Sequence, residues 1–80
     1  NEFEKRFIGH YQADEIWPKM QFYIHDKQIK VKWGELVGTL LKEKEGYQAH
    51  FGSLTRAIKV NVLETGQLSL KNGSIVYKKL

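Results

Sequence analysis

The 80-residue chain has no cysteine, a single proline and no apolar run near the ~18 residues of a membrane-spanning helix. Without cysteine there is no disulfide and no thiolate metal site, which fits a reducing compartment. No signal-peptide pattern opens the chain. The expectation is therefore a cytoplasmic protein with no membrane partner. The one proline, Pro18, bars a helix from crossing Trp17–Pro18. Acid is scarce in one place only. Residues 1–52 hold eight Lys or Arg and eight Asp or Glu, whereas residues 53–80 hold five cations (Arg56, Lys59, Lys71, Lys78 and Lys79) against Glu64 alone. The whole net charge of +4 thus lies in the last 28 residues. Such asymmetry suits a polyanion-facing surface, and it also suits a solvated face that keeps a small protein dispersed. Eighty residues make one domain, 1–80, and a start at Asn1 rather than Met fits a domain excised from a longer protein.

Reactive constellations are missing too. His10, His25 and His50 match no metal-ligand spacing, the glycines form no phosphate loop, and Ser53 and Ser74 lack the context of a nucleophile. The chain reads as neither enzyme nor cofactor carrier.

Hydrophobic spacing supplies the elements. Phe3, Phe7, Ile8 and Tyr11 recur at helical intervals in "NEFEKRFIGHYQ", with Glu2 and Glu4 suited to the positive end of a helix dipole. "MQFYIHDKQIKVKW" alternates with period two around Asp26-Lys27, which predicts one or two short strands. Trp33, Leu36, Val37, Leu40 and Leu41 form a complete apolar helical stripe, with Gly46 beyond it as a terminator. A competing reading folds "VGTLLKEKEGYQAHF" into a hairpin around Lys44-Glu45-Gly46. "SLTRAIKVNVLETG" serves as a helix from Ser53 to Gly66, or as a strand through Ile58, Val60 and Val62. "QLSLKNGSIVYKK" is a β-hairpin, with Asn72-Gly73 supplying a type I′ turn. Among the aromatics, Phe3, Phe7, Trp17, Phe22, Tyr23, Trp33 and Phe51 are core candidates, and Tyr47 and Tyr77 the exposed rings.

This order of helix, short strand, a helix with the Trp33–Leu41 stripe, a turn, "SLTRAIKVNVLETG" and "QLSLKNGSIVY" resembles a winged helix-turn-helix DNA-binding domain, best over residues 33–79. The resemblance implies an α+β fold: an N-terminal helix, short strands, two further helices and a C-terminal hairpin wing. It implies duplex DNA as partner, beside a parent protein or a second copy, in transcription regulation or in DNA replication or recombination. A recognition helix at about 53–64 would enter the major groove and the wing at about 67–79 would touch backbone. Ser53, Thr55, Arg56 and Lys59 would lie on or near the exposed face, with Arg56 reading guanine, and Lys59, with Lys71 and Asn72 of the wing, would hold phosphates. The strand readings instead imply a small β-barrel that binds single-stranded nucleic acid. A protein-interaction module is the third option.

Overall fold

The computed structural model describes residues 2–80, with side chains from Lys5 onward. The expected roles of Glu2, Phe3 and Glu4 lie outside the described side chains. One short helix, α1 (Glu2–Phe7), precedes eight strands: β1 (Gly9–Gln12), β2 (Met20–His25), β3 (Gln28–Trp33), β4 (Leu36–Lys42), β5 (Tyr47–Phe51), β6 (Leu54–Val62), β7 (Leu68–Asn72) and β8 (Ile75–Lys79). Each strand pairs antiparallel with the next, and β8 returns to β1 through Tyr11↔Lys79 and Gln12↔Lys78. The result is an all-β, closed eight-stranded barrel, in which each strand pairs with two neighbours, β8 with β1 over two residue pairs alone.

Side chains alternate across the wall as the strand period requires. Tyr11, Met20, Phe22, Val31, Leu40, Ala49, Ile58, Leu70 and Tyr77 point inward and are buried. Phe7 of α1 plugs one end, its ring 4.5 Å from Phe22 and stacked on Tyr47 at 5.9 Å. Lys79 Nζ donates to the Arg6 carbonyl and Arg6 Nη2 to the Gly66 carbonyl, which ties the helix down. At the opposite end, three turns share one construction. Trp33↔Leu36, Phe51↔Leu54 and Asn72↔Ile75 are each bridged by two residues, Gly34-Glu35, Gly52-Ser53 and Gly73-Ser74. The three glycines have φ of 61°, 70° and 63°, as a first turn residue with positive φ requires.

These observations overturn the winged-helix expectation. The α+β class fails because helix is confined to Glu2–Phe7; Gly9, at φ 141°, ends it and Tyr11 belongs to β1. The stripe helix is instead strand β4, whose Thr39–Lys42 pair with Tyr47–His50 of β5. Leu40 is buried, but Val37 and Leu41 are exposed on the other face, and Leu36, on Leu40's face, is exposed at the strand's end. The recognition helix is strand β6, hydrogen-bonded to β5 and β7 along its length. Its β-branched Ile58, Val60 and Val62 favour that conformation. There is accordingly no helix-turn-helix and no recognition helix to enter a major groove. The 67–79 hairpin exists, as two strands of the barrel rather than a projecting wing. Its turn is shifted by one residue: Asn72 is the last residue of β7, and Gly73-Ser74 makes the bend. Tyr77 is fully buried and Tyr47 half-buried, while Trp17 is 41% exposed, so those aromatic assignments are reversed in part.

Candidate functional site

The residues singled out from the sequence fall on two opposite surfaces of the wall. Ser53 lies in a turn, and Thr55 and Lys59 face outward from β6. Lys71 faces outward from β7, directly opposite Lys59 in the register. Arg56 and Asn72 point the other way, into the barrel mouth. Arg56 Nε donates to Asn72 Oδ1 at 2.7 Å, and Nη2 to the Asn72 carbonyl at 3.1 Å. The guanidinium lies 5.3 Å from the Trp33 ring centroid. Asn72 Nδ2 donates in turn to Met20 Sδ. Trp33 Nε1 donates to the Tyr77 hydroxyl at 2.9 Å, and that hydroxyl donates to the Pro18 carbonyl at 2.6 Å. Much of the guanidinium fork is therefore spent on closing the barrel end.

Burial pushes the Tyr77 phenol above its ordinary range; the Trp33 hydrogen bond and the Arg56 charge act in the opposite direction. Burial likewise raises Tyr11, which donates its hydroxyl to the Phe7 carbonyl at 2.8 Å. Both rings stay neutral donors at physiological pH and serve the core.

The outer wall has a different character. All nine acids lie outside the strands: Glu2 and Glu4 in α1, and Asp14, Glu15, Asp26, Glu35, Glu43, Glu45 and Glu64 in the connections. The strands hold Lys30, Lys32, Lys42, Arg56, Lys59, Lys71, Lys78 and Lys79 and no carboxylate. Two of these cations are used at the ends, Lys42 4.9 Å from the Tyr47 ring centroid and Lys79 on α1. Five face outward. Lys59 and Lys71 are cross-strand partners, Lys71 also opposes Val76, and Lys78 opposes Ser69 and Gln12. Beyond Gln12 and His10 of β1, the surface continues through Gln21 and Tyr23 to Lys32 and Lys30, which oppose them on β3. Lys30 Nζ is anchored by Thr39 Oγ1 at 2.7 Å.

A contiguous arc of six strands, from β6 through the β8–β1 seam to β3, is thus basic and largely polar, with Val76 of β8 exposed within it. The remaining side carries the exposed Val37 and Leu41 of β4. The pattern of apolar inside and polar outside is the reverse of a membrane-spanning barrel, whose lipid face needs an apolar band.

Like charges directly opposite on a sheet destabilise it, by a small amount where, as here, both are exposed to screening solvent. The Lys59–Lys71 pair therefore works against folding unless an anion lies across it. Sequence reasoning found Lys59 and Lys71 but not the arc, because the segregation of acids becomes visible only when the strand limits are known. The signal available was the parity of Lys30 with Lys32, and the gathering of acids into turn-forming stretches. Among the described residues, no group of three or more His, Asp or Glu is placed to hold a metal ion. No family model, curated protein or solved structure matches the chain, so the reading of this surface rests on its own geometry.

Proposed function

We propose that the basic arc of the barrel wall binds single-stranded nucleic acid through its phosphates. The observation that carries this reading is the exclusion of every carboxylate from the strands, while five lysines face outward. Electrostatic binding of this kind needs a track of cations free of local acid, and it releases counterions from the polymer. Shape favours a single strand over a duplex. The molecule measures 34 × 33 × 22 Å, and its wall is convex. Duplex DNA, with a persistence length of about 50 nm, cannot follow such a curve and would touch it along one line. A flexible single strand can wrap, and Tyr23, half-buried beside Lys30, offers part of a ring face for a base.

The test is fluorescence anisotropy of a labelled single-stranded oligonucleotide across a salt series. Binding should weaken with salt by a log–log slope near −0.7 for each phosphate held. A variant with Lys59→Ala, Lys71→Ala and Lys78→Ala should bind more weakly and show a slope shallower by about 2. A triple variant that binds like the unmodified protein would contradict the proposal.

A further inference from the structure

The β1–β8 seam opens into a groove. β1 ends at Gln12, whose partner is Lys78, whereas β8 runs back to Ile75. Residues 75–77 therefore have no partner on the β1 side, and the connection of residues 13–19 arches past them. The resulting groove has a volume of about 510 Å³, within the ~300–1,000 Å³ of small-ligand pockets. Gln12, Asp14, Trp17, Ser74, Val76 and Lys78 line it. Each offers a distinct chemistry. Trp17 presents a 41% exposed ring, whereas Trp33 is hydrogen-bonded at the barrel mouth. The Trp17 amide donates to the Asp14 carbonyl at 3.0 Å, so one turn of the connection sets these two residues side by side on the groove. Gln12 and Ser74 add an amide and a hydroxyl.

We infer that this groove is a nucleobase pocket with a preference for guanine. The inference rests on the reading of the wall as a single-strand track. Lys78 belongs both to the groove and to the outward lysines of β6–β8, so a strand held by its phosphates along Lys59, Lys71 and Lys78 delivers a base at the seam. Trp17 supplies the stacking face, which accepts any base. Asp14 supplies the discrimination. An ionised carboxylate only accepts hydrogen bonds. Guanine alone offers it two adjacent donors, N1–H and the N2 amino group, on one edge. Adenine and cytosine offer only one amino group beside an acceptor, and thymine one imino donor between two carbonyls. The Gln12 amide and the Ser74 hydroxyl can donate to guanine O6. The negative charge of Asp14 also keeps phosphate out of the groove and leaves it to Lys78.

The inference is tested by comparing short deoxythymidine oligonucleotides that carry one central guanine, adenine or cytosine with the all-thymine strand, at about 50 mM salt where electrostatic binding is strong. The guanine-bearing strand should bind roughly 5- to 100-fold more tightly than the others. Asp14→Asn should abolish that preference, while removal of a negative charge beside Lys78 should leave the all-thymine strand bound as tightly as before or more tightly. Trp17→Ala should weaken the guanine strand by roughly 5- to 100-fold through lost stacking. Equal binding of all four strands would refute the pocket while leaving the wall reading intact, and so would a guanine preference that survives Asp14→Asn. Absence of binding by any strand would overturn the wall reading and the pocket with it. Both substitutions lie at exposed positions, and circular dichroism of each variant confirms that it is folded before it is titrated.

Discussion

Arg56 and Asn72 each owe their role to the face of the strand on which they fall. Arg56 is two residues from Ile58 and shares its inward face, so its charge sits in the barrel mouth beside Trp33. Lys59, one residue beyond Ile58, faces solvent. A half-buried cation persists only with partners, and Asn72 supplies two acceptors to it. Asn72→Ala removes the side-chain acceptor but leaves the charge. The variant should lose about 1–3 kcal/mol of stability in urea denaturation. Arg56→Met in the same background should cost much less than the same change in the unmodified protein, since the pair acts as a unit. Additive losses would show that the two side chains are not coupled. The same geometry removes Arg56 from the outward lysine surface, although it is a neighbour of Lys59 in sequence.

At the scale of the element, β4 decides the fold. Its inward Gly38 lies opposite Phe51, and a Cβ there would collide with the His50 carbonyl and come within 2.8 Å of the Phe51 ring. The obstruction is largely backbone, which cannot move aside without disturbing the β4–β5 ladder. Gly52 contrasts with it: no atom lies within 4 Å of its Cβ position, and only its φ of 70° penalises a side chain. Gly38→Ala should therefore lower the urea midpoint clearly more than Gly52→Ala, with a loss of about 1–3 kcal/mol. Equal losses would mean that the close approach of the His50 carbonyl and the Phe51 ring does not constrain the strand.

The same glycine explains what the sequence concealed. With Gly38 at an inward position and Val37 and Leu41 outward, the apolar residues of β4 fall on both faces and imitate a helical stripe. Elsewhere strand signals were present, though residues 53–64 read equally as a helix and Tyr11 of β1 fell at helical spacing with Phe7. The alternation of β2 and β3, the β-branched run Ile58–Val62 and the last hairpin all carry strand signals. The recurrent "WGEL", "FGSL" and "NGSI" announce three two-residue turns, a repeat that outweighs the stripe once it is noticed. Of the site, the basic excess of residues 53–80 was visible directly. Its continuation through His10, Gln21, Lys32 and Lys30 was not, because it depends on β8 meeting β1 across nearly the whole chain length.

On the scale of the whole molecule, closure of the barrel converts a local charge pattern into a surface. The carboxylates sit in α1 and the connections, while the strands between β6 and β3 present lysine, histidine, glutamine and tyrosine around a convex wall. On the proposed reading, acids at the ends would confine a polyanion to that wall, and the exposed Val37 and Leu41 of β4 mark the side without lysines of this kind. The most direct measurement is an amide chemical-shift map of the protein during titration with a single-stranded oligonucleotide. The account predicts shifts that follow the arc, at Lys59, Lys71, Lys78, His10 and Gln21, with Val37 and Leu41 unmoved. Shifts concentrated at Val37 and Leu41, or no shifts at about 50 mM salt, would contradict it.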